Sequence, residues 1–203
     1  MPDKKHSRAY HRYFEDYAER QTMDESGRLA IERVYVGRYY RVNLSGRALR
    51  RQKVLFLLLY LGAAALFLLS GVTLQVSAVG LAAIATMAAL LSLLWLAVPV
   101  FHRLTAPREM EVRTWRESSA SLRHAGAGAA VCLFACAGAS LAAAFLVPGY
   151  SRLETALGVL PYVLSGAFSL GIHILERRTD YEVLPPKNQR PEGSSPIRYY
   201  TPD

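Results

Sequence analysis

Residues 54–101 read VLFLLLYLGAAALFLLSGVTLQVSAVGLAAIATMAALLSLLWLAVPVF, 48 positions without one Asp, Glu, Lys or Arg. As one helix rising 1.5 Å per residue this stretch would run about 72 Å, more than twice the ~30 Å hydrocarbon core of a bilayer. It therefore has to turn back once. The turn falls at Ser70-Gly71-Val72-Thr73-Leu74-Gln75, the polar, glycine-containing interruption of the run. A first span is predicted over 54–72 and a second over 77–101.

Two further stretches, 125–151 and 155–175, are equally free of charge, and all 24 Lys+Arg and 16 Asp+Glu of the 203-residue chain lie outside the three. A soluble domain of this size does not leave almost half its length uncharged in blocks, so the chain reads as an integral membrane protein. The third span covers 125–147 and is stopped by Val147-Pro148-Gly149-Tyr150-Ser151, where proline and glycine together end a helix and open a turn. The fourth covers 156–175. The expected fold is an all-α membrane protein, a four-transmembrane-helix bundle of two hairpins over 54–175. Short juxtamembrane elements, some of them β-strands, accompany it.

Flanking charge predicts the orientation. Six Lys/Arg lie in 38–53, five in the loop 102–124 and four in 176–190, against Arg152 alone in the two opposite connections. That bias places both termini (1–53 and 176–203) and the middle loop in the cytoplasm, with the spans in the cell membrane. The polar first 50 residues contain no cleavable signal peptide, so the first span is expected to act as its own insertion signal.

Between Ala125 and Val147, ten residues are Ala and three are Gly. Small side chains let helix backbones approach closely where lipid offers no hydrophobic contrast. The third span is therefore expected at the centre of the bundle or at a self-association interface, with the Ala-rich second span as its partner. Cys132 and Cys136, one turn apart within it, read as small packing residues rather than a redox or metal motif.

Outside the spans, residues 7–20 read as a short helix with Tyr10, Tyr13, Phe14 and Tyr17 forming an aromatic stripe. Its mixed charges suit protein contact better than lipid, which makes these four residues candidates for binding a partner. Residues 31–42, rich in β-branched and aromatic types, read as one strand bulged at Gly37 or two short strands turning there. Met110 to Trp115 and Tyr181 to Leu184 resemble it, and the three could assemble one small sheet. The proline-rich tail from Pro185 reads as extended or disordered.

One feature of the spans points to chemistry. Tyr162, Ser165, Ser169 and His173 recur at spacings of three, four and four, so they share one face of the fourth helix. Intramembrane polar residues face the bundle interior or a wet cavity, and this set is the candidate lining of such a cavity. Pro161 beside them frees a carbonyl one turn earlier. None of the four spans contains a carboxylate, which counts against proton-coupled antiport. His102, His124 and His173 share a depth, but no ligand spacing accompanies them, and neither a metal nor another cofactor is expected. Nucleotide-binding loops, H-E-x-x-H and G-x-S-x-G are absent from the sequence, so an enzyme is not expected. The basic balance follows from orientation and anionic lipid, without nucleic acid. The expected partners are the bilayer itself and a membrane protein or a second copy of this chain. The function that fits best is a non-catalytic accessory or regulatory subunit acting through its cytoplasmic face. The alternative is a small channel or carrier that uses the polar face of the fourth span.

Overall fold

The computed structural model describes residues 16–23, 29–73, 80–146 and 152–187. These divide into two compact units. One is strand-rich and takes the chain up to Arg41, Glu109–Arg113 and the chain from Glu182; the other, Val42–Arg108 with Thr114–Tyr181, is helical.

In the helical unit four long helices run over Gly46–Thr73 (α1), Gly80–Thr105 (α2), Ser121–Leu146 (α3) and Arg152–Arg177 (α4). Each is long and apolar enough to cross a membrane. All four overrun the charge-free stretches, because a helix does not stop where hydrocarbon would end. At the start of α1, Ser45 accepts the Ala48 N–H on its hydroxyl (3.3 Å), the usual side-chain cap of an N-terminus. At the end of α2, the Lys53 ammonium donates to the Leu104 and Ala106 carbonyls at 2.8 and 2.7 Å, satisfying acceptors that the last turn leaves open. A helical turn, Val112–Trp115, and a π-helical segment, Arg116–Ala120, lead into α3.

The main packing partners are α1 with α4, α4 with α3, and α3 with α2. The third span was expected at the centre of the bundle or at a self-association interface, with the second as its partner. The second helix does pack on it, but α3 shares the centre with α4. Of the most apolar stretch of each helix, 44% is buried for the fourth span and 39% for the third, against 28% and 22% for the second and first. The reason is reciprocal fitting of small and large residues. A Cβ on Gly126 of α3 would lie 3.2 Å from the His173 nitrogen and 3.3 Å from the Ser169 carbonyl oxygen, so the two backbones meet there. Gly166 of α4 admits the Phe134 ring from α3, and Gly62 of α1 admits the Phe168 ring from α4. Two apolar clusters fill the interior. One, around Phe56, Leu96, Leu122 and Ile172, lies toward the charged end of the bundle; the other joins Phe67, Leu93, Leu133 and Tyr162.

Polarity across the bundle is inverted relative to a water-soluble protein. Ser70, Ser140, Ser165 and Ser169 are buried, while Leu58 (59%), Trp95 (72%) and Phe145 (79%) are exposed. Exposed apolar residues on this scale are compatible with helices that cross a membrane.

In the strand-rich unit, Tyr17–Met23 (β1) pairs antiparallel with Leu29–Tyr35 (β2), from Tyr17 opposite Tyr35 to Met23 opposite Leu29. The helix expected over 7–20 is therefore corrected for its described part: Tyr17 to Arg20 are strand. A seven-residue ladder with the β-branched and aromatic residues of β2 overrides the local helical spacing, a tertiary effect invisible in one segment. Tyr10, Tyr13 and Phe14 lie outside the described residues, as does the tail beyond Lys187. Tyr39–Val42 (β3) is separated from β2 at Gly37, where a Cβ would come within 2.5 Å of both Asp16 and the Tyr35 hydroxyl. Of the two readings of 31–42, two short strands is the one found. Glu109–Glu111 (β4) and Tyr181–Leu184 (β5) flank β3, giving the order β4-β3-β5. The three segments singled out in the sequence meet in this sheet only in part: Tyr39–Val42 joins it, whereas Ile31 to Tyr35 pair with β1 in a separate two-stranded sheet, and Val112 to Trp115 leave β4 as a helical turn.

Candidate functional site

The polar face of α4 turns inward. Tyr162, Ser165 and Ser169 are buried and His173 is half-buried. Ser165 donates to the Ala63 carbonyl of α1 at 2.7 Å, and in return Ser70 of α1 donates to the Gly158 carbonyl of α4. The Tyr162 ring packs on Phe67 with centroids 5.7 Å apart, and its hydroxyl faces Ser70, Thr86 and Cys136. All four helices contribute to that node, and Thr86 is itself bonded to the Ala82 carbonyl at 2.8 Å. His173 Nδ1 lies 2.9 Å from the Arg123 carbonyl of α3. The Ser169 hydroxyl is buried without a hydrogen-bond partner. Apart from it, the face bonds neighbouring helices, the commonest use of hydroxyls in such bundles.

A second constellation lies one step further along the same face and was missed in the sequence. Arg103 near the end of α2 and Glu176 near the end of α4 are both fully buried, with Nε and Oε2 3.3 Å apart. They attract as charges, but those two atoms form no aligned hydrogen bond. Glu176 Oε1 accepts from the Tyr181 hydroxyl. That hydroxyl is 2.7 Å from Ser119, and the Tyr181 ring meets Trp115 edge-on at 6.1 Å. Gln52 of α1 accepts from Arg103 at 3.4 Å and donates to Thr179 at 2.6 Å. Burial and then the Glu176 charge push the Tyr181 phenol above its ordinary range.

The helix that carries the fourth span runs to Arg177, past the predicted end at 175, and so brings Glu176 onto its buried face. A signal was available. The spacing 162, 165, 169, 173 continues by three to 176, so Glu176 belongs to the polar face that the sequence already marked. Nothing comparable marked Arg103, which reads as one of the many basic flanks.

In the strand-rich unit, Tyr17 is held rather than presented. Its hydroxyl donates to Glu111 at 2.6 Å and its ring meets Tyr35 edge-on at 5.2 Å. The Tyr35 hydroxyl donates to the Arg38 carbonyl at 2.8 Å and accepts the Val112 N–H at 3.1 Å; burial pushes its pKa up to about 12. Lys187 and Arg41 both bond Glu109 and hold its carboxyl down to about 2. No group of three His, Cys, Asp or Glu side chains gathers for a metal ion among the described residues. No known protein family, curated protein or solved structure matches the chain.

Proposed function

We propose that this chain is a multi-pass protein of the cell membrane with both termini in the cytoplasm. In this reading it acts without catalysis, as an accessory or regulatory subunit that binds a membrane-protein partner or a second copy through its cytoplasmic face. The observation that supports the reading is where the interior polar groups are spent. Ser165, Ser70 and His173 each bond the backbone of a neighbouring helix, so the helices serve cohesion and the interacting chemistry falls to the parts outside them. Tyr10, Tyr13, Phe14 and Tyr17 remain the candidate contact residues, with Tyr17 tied to its own sheet. One observation favours the carrier as a second reading: the unpartnered Ser169 hydroxyl beside Tyr162, Ser165 and His173, all turned away from the outer surface.

The two readings separate in one experiment. Full-length protein and a version lacking residues 1–15, which leaves β1 intact, are purified in mild detergent and also reconstituted in liposomes. A stoichiometric membrane-protein companion, or a dimer, that is lost with the deletion supports the subunit. Recovery of both versions alone, together with solute flux that Ser169→Ala or Tyr162→Phe abolishes, would replace it by the carrier.

A further inference from the structure

We infer that Glu176 is a proton-operated latch on the π-helical segment Arg116–Ala120, closed while the carboxylate is charged and opened when it takes up a proton. Turns of π-helix are rare, and they occur frequently at functional sites. This one packs against α2 and α3 and buries Ser118 and Ser119. Ser118 donates back along its own segment to the Thr114 carbonyl at 2.6 Å. Ser119 reaches across instead, with its hydroxyl 2.7 Å from that of Tyr181. The Tyr181 hydroxyl donates in turn to Glu176 Oε1, and Glu176 Oε2 lies 3.3 Å from Arg103 Nε. The Arg103 guanidinium also lies over the Tyr181 ring, 5.8 Å from its centroid. One unbroken line of contacts thus joins the buried ion pair to the π-helical turn.

What opens the latch is the charge left behind. Arg103 is fully buried, its Nη1 has no hydrogen-bond partner among the described residues, and Glu176 is its ion-pair partner. Two more cations lie within electrostatic reach, Lys53 of Arg103 and Arg123 of Glu176. Arg123 also donates to the Glu176 backbone carbonyl at 3.4 Å. Glu117, Asp180 and Glu182 are exposed to water, which screens them. Protonating Glu176 turns the charge-assisted bond from Tyr181 into an ordinary one, about half as strong. It also leaves Arg103 buried without a counter-charge, the arrangement that proteins tolerate least. The state in which water reaches Arg103 then gains, and the π-helical turn, no longer held through Tyr181, rewinds. As α-helix it shifts Trp115 against α3 by one residue, about 100°. Trp115 sits at the head of the segment, half-buried and edge-on to Tyr181 at 6.1 Å, so it reports the change.

The test is Trp115 emission from the full-length protein in uncharged detergent, with Trp95→Phe removing the other tryptophan of the chain. As the pH falls from about 8 through the carboxylate range to about 4, the emission is expected to move reversibly to longer wavelength as Trp115 meets water. Glu176→Gln, uncharged at every pH, should show the acid-form emission throughout and lose the response. It keeps His102 and His173 on the same helices, so a response that survives the exchange belongs to other groups and overturns the inference. Ser119→Ala leaves the ion pair intact but cuts it from the π-helical turn, and the pH-dependent shift should be lost there as well. Should Glu176→Gln fail to fold, Ser119→Ala and Tyr181→Phe, each expected to lose the shift, decide in its place. An emission that stays unchanged over the whole range in the Trp95→Phe protein, or a full shift in Ser119→Ala, overturns the latch. The inference concerns this chain alone, so its failure leaves the subunit and carrier readings as they stand.

Discussion

Among the described residues, Arg103 and Glu176 are the two charged side chains that are buried. Removing charges from water costs several kcal/mol each, and mutual attraction returns that only when both partners are present. Arg103→Met leaves Glu176 buried and unpaired, and Glu176→Leu does the same to Arg103. Each single exchange is expected to destabilise by about 3–5 kcal/mol in chemical unfolding, while the double exchange falls near wild type or above it. The logic is that of a double-mutant cycle, in which the coupling appears as non-additivity. If the double variant is as unstable as the worse single one, the stabilisation comes from Tyr181, Ser119 and Gln52 around the pair rather than from the charges. The pair was hard to see because each member sits beside exposed cations: Arg103 among the arginines of the middle loop, and Glu176 directly before Arg177 and Arg178. Only the fold reveals which of these charges turns inward.

At the scale of the element, the decisive contact is the approach of α3 to α4 at Gly126. A methyl group there meets backbone atoms of Ser169 and His173, which cannot swing aside as a side chain could. Gly126→Ala is expected to cost about 1–3 kcal/mol as overpacking. Gly128, two residues on, has nothing within 4 Å of an added Cβ, and Gly128→Ala should change stability by no more than about 0.5 kcal/mol. Equal melting points for the two variants in detergent would mean that the helices do not meet there. The small residues of α3 made this close packing legible, since thirteen Ala and Gly in one span have few other uses. The centrality of α4 was harder to read, because Leu, Val and Phe on its outer face mask an inner line of Tyr162, Ser165, Gly166, Ser169 and Ile172. Of the sheets, β3, β4 and β5 could be read from their own composition. The strand β1 could not, because what holds Tyr17 to Met23 extended is its ladder with β2 rather than anything in its own residues.

For the whole molecule, the expected number of crossings follows from lengths of chain without charge, and four apolar helices of 26 to 28 residues meet that requirement. Orientation is a separate matter, argued from fifteen flanking Lys/Arg on one side against one on the other. The helical unit adds a physical reason for that bias to persist. Lys53 is bonded to the carbonyls that end α2, and Arg103 is ion-paired with Glu176 at the end of α4. Several of the positive charges are thus part of the closed end of the bundle. Inverting the protein would carry this assembled end across the membrane together with the exposed arginines of α1 and α4. With Cys132→Ala and Cys136→Ala as background, Glu117→Cys at an exposed site of the middle loop should resist an impermeant thiol reagent in intact cells and react after permeabilisation. Ser151→Cys in the opposite connection should react without it. Labelling of Glu117→Cys from outside, with Ser151→Cys protected, would reverse the orientation while leaving the four-helix arrangement intact. It would also move the proposed partner-binding face to the exterior, where the proposed accessory subunit would have to meet an extracellular rather than a cytoplasmic partner.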